Sequence, residues 1–380
     1  MNVARRQVKS SSMRLRGLIR KEFLQILRDP SSIAIAFVMP VVLLLLFGYG
    51  VTLDAKHVPV ALVVEQPSAE TAGFIAGFHK STYFIPLAMP DRPAAERAMM
   101  AGMVDGIVVL RSDFATRLTR PQGAPIQVIV NGVDANKGRL VIGYVQGVWG
   151  NWLNQQARLK GQELNRPVQL EQRIWFNSEL RSRDYLVPGL IVVIMTLIGA
   201  LLTALVMARE WERGTMEALI VTPVAMWEIL AGKLIPYYLL GMGSMLLSVA
   251  MALWLFEVPL RGSPWLLLIT TSLFLLVALG MGLLISILAK NQFVAGMMAI
   301  ITTFLPAFIL SGFIFDIGSM PGIVQLVTHL IPARYFVAIL QTEFLAGDLW
   351  AVILPNALAL LAMAVFFLGL SRLKSCKRLE

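Results

Sequence analysis

A chain of 380 residues with a net charge of +10, 57% of them hydrophobic and only 15% charged, lies outside the soluble class, in which about a quarter of residues carry charge. That much apolar side chain exceeds what a water-soluble domain of this length encloses, so the composition implies lipid as the solvent for much of the chain. The single cysteine, Cys376, excludes an intrachain disulfide framework and a cysteine-built metal site.

The first patterned element is "RLRGLIRKEFLQILRD". Leu15, Leu18, Ile19, Phe23, Ile26 and Leu27 fall on one helical stripe, and Arg14, Arg16, Arg20, Lys21 and Arg28 fall elsewhere. An apolar stripe with a basic face predicts a helix lying in the membrane interface, drawn to anionic lipid headgroups. The alternative is a soluble helix packed on another domain. Asp29-Pro30 ends the helix and turns the chain into the bilayer.

Uncharged apolar runs of membrane length follow at residues 33–51, 185–207, 234–256, 265–288, 293–315 and 349–370. Pro40, Pro188, Pro236 and Pro306 interrupt or open some of them, which membrane helices tolerate. The first run is too long, and its basic leader too extended, for a cleaved signal peptide, so it reads as a signal anchor.

Residues 54–184 read as a mixed α/β domain. "VPVALVV" at 58–64 predicts a strand, and "SAETAGFIAGFHK" a helix capped by Ser68. "TYFIPLA" reads as extended, and "PAAERAMMAG" as a helix stopped by Gly102. "DGIVVL" and "PIQVIVNG" are further strands, and a longer helix is expected over 134–162. His57 and His79 stand alone and read as surface or packing residues. No phosphate loop, metal-spaced cluster or nucleophile elbow is present in this stretch.

Between the fifth and sixth runs, residues 316–346 are too apolar for a free loop and too interrupted for a span. Pro321 and Pro332 divide them into two short helices, which predicts a re-entrant hairpin carrying His329 and Arg334 as interfacial anchors.

The charge distribution sets the orientation and excludes a nucleic-acid partner. With the N-terminus in the cytoplasm, the short inner segments hold 16 basic residues and the short outer loops only Arg261 and Arg334. By the positive-inside rule both termini are then cytoplasmic, and residues 54–184 lie outside. Glu228, Lys233, Glu257, Lys290 and Asp316 all fall near span ends, so no ionisable residue is expected buried in mid-span. That counts against a proton- or ion-coupled carrier. Gly232-Lys233 lacks the upstream glycine and following hydroxyl of a phosphate loop, so the chain has no nucleotide site of its own by this signature.

One cluster stands apart. "AREWERGTMEALIVTP" directly follows the second run and opens with Arg209, Glu210, Glu212, Arg213 and Glu217. Orientation requires only basic residues here; three acidic ones beside a glycine predict a shaped surface for another protein.

The stretch "REWERGTMEALIVTP" resembles the "RERERGT-E-L-VTP" hallmark of the membrane subunits of type-2 ABC transporters, drug-exporter-like branch, departing where Trp211 replaces a charged residue. "LIRKEFLQILRDP" resembles that family's elbow helix, and "WFNSELRSRDYLVPGL" resembles the entry to its second span. The resemblance covers the chain and implies an α-helical polytopic membrane protein of the bacterial inner membrane. Its parts are a cytoplasmic tail and elbow helix at 1–30, a first transmembrane helix at 31–53, and a periplasmic α/β domain at 54–184. Five further transmembrane helices occupy 185–370, with a coupling helix at 208–228 and the re-entrant hairpin at 316–346, before a basic tail at 371–380.

What the resemblance implies for function is an exporter permease powered by a separate ABC ATPase subunit, which would bind ATP and magnesium while this chain binds no cofactor. Arg209, Glu210, Trp211, Glu212, Arg213, Gly214, Thr215 and Glu217 would contact that subunit, with Lys21 and Glu22 nearby. A second permease copy or paralogue would complete the pathway, lined by Met195, Thr196, Met297, Met298, Thr303 and Phe304; methionines suit varied apolar ligands. The expected cargo is hydrophobic or amphipathic, drugs included. A periplasmic adaptor and outer-membrane channel are further expected partners. Two alternatives stay open: a signalling membrane subunit without transport, and export of lipid-linked or polysaccharide cargo.

Overall fold

A computed structural model describes residues 2–50, 57–118, 126–132, 135–159, 176, 181–216, 221–222 and 224–374, with backbone alone for 2–12, 135 and 136. The chain forms two compact units, Met1–Thr52 with Ile174–Glu380, and Leu53–Arg173.

Among the described residues of the first unit, six helices are long and apolar enough to cross a membrane: span one, Pro30–Gly50; span two, Ser182–Glu212; span three, Met226–Trp254; span four, Pro264–Ala289; span five, Gln292–Leu310; and span six, Trp350–Lys374. They are preceded by the amphipathic helix Asn2–Leu27, referred to below as the elbow helix. Asp29 caps span one by accepting from the Ser31 amide, with Pro30 at its first position, where a missing N–H is harmless. Spans one and five each contain a single π turn, at Ala34–Val38 and Ile300–Phe304.

Span two is the axis of this unit, with 89% of its most apolar stretch buried against 17% for span six. Its burial depends on close approach to span four. A β-carbon on Gly199 would sit 2.6 Å from Ala278 Cβ, and one on Gly282 2.3 Å from the Ala200 carbonyl oxygen. Thr203 adds a hydroxyl donated to the Leu279 carbonyl at 3.0 Å across the same crossing. Small residues and interhelical hydrogen bonds are what lipid-embedded helices use, since apolar burial alone favours neither neighbour nor lipid. The expected hairpin is a helix pair, Gly322–Thr328 and Pro332–Leu345, bent by 80°. Its second helix packs on span four through a stacked Phe274–Phe336 pair with centroids 4.3 Å apart.

Two span boundaries differ from the sequence reading for physical reasons. Span two continues through Met207 to Glu212, because nothing between them breaks a helix; the stop is Gly214, at φ +67°. Span three begins at Met226 rather than near residue 234, which places Glu228 and Lys233 inside the helix and buries both. Both stand within two turns of the start of the span, near a span end as expected, yet they are buried, and Glu343 on the second hairpin helix is fully buried as well.

In the second unit four strands pair in the order β2-β1-β3-β4: β1 Val58–Val64, β2 Phe84–Met89, β3 Gly106–Leu110 and β4 Ile126–Val130. β1 runs parallel to β2 and β3, and β4 is antiparallel to β3. The alternation of β1 sends Val58, Val60 and Leu62 to one face and Ala61 and Val63 to the other. The first face packs on helices Ala69–Lys80 and Ala135–Leu159 through Phe74, Phe78, Val145 and Trp152. The second is covered by helix Arg92–Met100 through Ala95 and Ala98. Ser68 caps its helix as the sequence suggested, in a reciprocal bond pair with Thr71, and Gly102, at φ +72°, follows helix Arg92–Met100.

Candidate functional site

The charged residues at the end of span two divide into two sets. Arg209 and Glu210 lie on the face turned toward the elbow helix and span one. Arg209 Nη1 donates to Asp29 Oδ2 at 2.8 Å, tying the end of span two to the cap of span one. Burial works against the Asp29 carboxylate, yet hydrogen bonds from Ser31, Ser32 and Arg209 outweigh it and hold its pKa down to about 2.

Glu210 is buried in an ion cluster. Lys233 Nζ of span three lies 3.0 Å from Glu22 Oε1 of the elbow helix and also pairs with Glu210 Oε2. Lys21 Nζ bridges the same two carboxylates, 3.3 Å from Glu210 and 3.4 Å from Glu22. Burial disfavours the Lys21 ammonium, but the Glu210 and Glu22 charges outweigh that and raise its pKa above the usual lysine value. Two cations and two anions close the cluster at zero net charge, the condition under which charges tolerate burial. Nearby, Arg14 reaches Glu228 at 3.4 Å, and Glu228 accepts from the Ala225 amide at the start of span three.

Packing fixes the same contact. A β-carbon on Gly232 would lie 2.9 Å from Leu18 Cβ, so this glycine lets the elbow helix lie directly on span three. The Gly232-Lys233 pair, which fails as a phosphate loop, is thus a packing glycine followed by a buried ammonium.

The second set faces outward. Glu212, Arg213, Gly214 and Thr215 are exposed, while Met216 is buried with Met207, Ile229 and Leu283 and pins the turn to the helical body. Glu212 accepts from the Gln292 amide at the start of span five at 3.1 Å, and the Lys290 ammonium sits 5.8 Å from the Trp211 ring centroid. Trp211 is half-buried, so the one departure from the hallmark is partly absorbed into the span four–span five connection. Glu217, with residues 218–220 and 223 of the expected coupling helix, lies outside the described residues.

The structure therefore redistributes the expected contact residues. Glu22 and Glu210 are buried and paired with Lys233 and Lys21. Lys21 is half-exposed. Lys233, Glu228, Arg14 and Asp29 complete the cluster without having been singled out for it. Their signal was present in the sequence: a lone lysine one residue past a glycine in "EILAGKLIPYY", two helical turns into an apolar run.

The expected pathway residues do not form one surface. Met195 and Thr196 are sealed among the helices, and the Thr196 hydroxyl donates back to the Val192 carbonyl at 2.8 Å. Thr303 is buried and donates to the Ala299 carbonyl at 2.6 Å, within the π turn, while Met298 and Phe304 are half-buried. Met297 is exposed in a groove of about 560 Å³ that spans two and five frame through Leu201, Leu205, Gly296 and Ile300, with Glu212 at its edge.

Residues 30–373 match the model of the ABC-2 family transporter protein. The chain is 46% identical to YbhS of Escherichia coli K12, a "Probable multidrug ABC transporter permease", over 97% of this chain and 98% of that protein. A second such permease, YbhR of the same strain, is 29% identical over 87% of this chain and 90% of its own length. The "Inner membrane transport permease YhhJ", also of that strain, is 24% identical over 83% and 84%. Six membrane-length helices, a sheet-containing unit between the first two, and these matches along nearly the whole chain leave one conclusion: it belongs to the ABC-2 family of transporter permeases.

Proposed function

We propose that this chain is the permease subunit of an ATP-driven exporter of hydrophobic or amphipathic compounds, drugs among them, in the bacterial inner membrane. A separate ABC ATPase, carrying ATP and magnesium, docks on the exposed turn Glu212, Arg213, Gly214 and Thr215. Both termini and this turn are cytoplasmic, and residues 54–184 are periplasmic, where an adaptor leading to an outer-membrane channel can meet them. A second copy of the chain or a paralogue completes the pathway.

The observation that carries the reading is how the turn is mounted. The turn follows directly on the end of span two, and span two is locked to the elbow helix and span three through Glu210, Lys233 and Glu22. A push on the turn would therefore move three helices together. The outer face of the turn keeps mixed charge, which suits recognition and register more than raw affinity. The likeness to two probable multidrug permeases supports the export of drugs, and the apolar groove at Met297 supports amphipathic cargo.

Arg213→Ala combined with Glu212→Ala tests the docking. The ATPase should fail to copurify while the permease still inserts and keeps its thermal stability. Normal copurification would refute the assignment. Reconstituted permease and ATPase should then show ATP-dependent flux of an amphipathic dye.

A further inference from the structure

A groove of about 600 Å³ opens between the end of the elbow helix and the end of span two, lined by Lys21, Leu24, Arg28, Asp29, Arg209 and Arg213. Four cations face one carboxylate, but not all four are free. Lys21 is engaged by Glu22 and Glu210, and Arg209 by Asp29. Arg28 and Arg213 are exposed and have no ion-pair partner among the described residues. The groove thus carries two uncompensated guanidinium groups, each able to grip a phosphate through two parallel N–H bonds.

Apolar side chains stand beside them. Leu24 is 45% exposed and Leu27 69%, immediately before the Asp29-Pro30 turn from which span one starts. In the orientation proposed above, this turn marks the passage from headgroup to acyl depth. Guanidinium groups and exposed leucines at the same turn supply the two-part chemistry of a phospholipid. A soluble anion would use the arginines alone, and a protein surface would have to reach the leucines through the headgroup layer.

We infer that this groove holds the headgroup phosphate of an anionic phospholipid of the cytoplasmic leaflet, gripped by Arg28 and Arg213, with its acyl chains along Leu24 and Leu27. The inference rests on the orientation and the docking turn proposed above, and it adds a ligand that bridges the elbow helix to that turn. Arg213 then serves both lipid and ATPase, so the lipid would tune how the turn is presented.

The test uses the full-length permease with its ATPase in phosphatidylcholine nanodiscs, with and without phosphatidylglycerol. Phosphatidylglycerol retained per chain is read by native mass spectrometry, and ATPase copurification is read in parallel. The wild type should retain phosphatidylglycerol. Arg28→Gln and Arg213→Gln should each lower that retention about five-fold, the weight of one basic residue at an anionic surface. Arg16→Gln, exposed on the same helix outside the groove, should leave it unchanged. Arg28 is not part of the proposed docking turn, so Arg28→Gln should keep the ATPase bound; lipid loss with the ATPase retained supports the inference even if the turn is assigned wrongly. Undiminished retention in Arg28→Gln overturns it. So does release of the ATPase by Arg28→Gln with lipid retention unchanged, which would make the groove part of the docking surface. Thermal stabilisation by inorganic phosphate in pure phosphatidylcholine, equal to that by phosphatidylglycerol and abolished by Arg28→Gln, would assign the groove to a free anion and overturn the lipid.

Discussion

Removing the Lys233 ammonium tests the ion cluster most directly. In Lys233→Met the side chain keeps its length and loses its charge, leaving Glu22 and Glu210, both nearly inaccessible to water, facing each other across the vacated position. Lys21 still bridges them, but its half-exposed head shares its charge with solvent. Breaking a buried ion pair from one side costs about 3–5 kcal/mol, because the remaining charge stays desolvated without a partner. Replacing all the charged members at once leaves no orphan, so Lys233→Met with Glu22→Gln and Glu210→Gln should return to within about 1–2 kcal/mol of wild type. At roughly 2 °C per kcal/mol for a unit of this size, the single variant should lose about 6–10 °C of apparent melting temperature at a fixed scan rate, and the triple variant should recover most of it. Amide exchange over residues 14–27 should rise in the single variant as the elbow helix loosens from span three. A single variant within about 2 °C of wild type, or a triple variant no better than the single, would refute the view that this cluster holds the elbow helix in place.

Gly282→Ala should be strongly destabilising, since the added methyl meets the Ala200 carbonyl at 2.3 Å and Thr203 Oγ1 at 2.1 Å. Gly280→Ala meets only the side chains of Phe367 and Leu368, at 3.3 Å, and should cost far less; equal melting temperatures for the two variants would contradict the close span two–span four crossing. Asp29→Asn should lose about 2 kcal/mol at neutral pH, the worth of a carboxyl held at about 2 rather than 3.8. Because the folded-state pKa is depressed, that contribution is fully present above about pH 5 and is lost as pH falls through 4 toward 2, about half of it by pH 3. Denaturant titrations of both proteins at pH 7 and pH 3 check this, and a pH-independent difference would exclude ionisation of Asp29 as its source.

Much of the fold was legible because lipid imposes a simple rule: a crossing helix must be long and apolar, and six such runs stand out. The second unit was equally readable from the short apolar run "VPVALVV", the Ser68 cap and the Gly102 stop, all of them local devices. The turn after span two stood out in the sequence by its mixed charge, and its relation to a known family followed from the hallmark, which the match to the ABC-2 family bears out. What the sequence could not order was which charges look inward. Glu210 and Glu212 are two residues apart on one helix, so they face different neighbours, and only the arrival of Lys233 and Glu22 from helices distant in the chain buries the first and leaves the second exposed. The buried charges were missed for the same reason: a charged residue in an apolar run reads as a boundary until a partner from elsewhere neutralises it. Local chemistry set the helices and their lengths; the pairing of charges across them, an interaction between segments some 200 residues apart (Glu22 and Lys233 by 211), belonged to the tertiary structure.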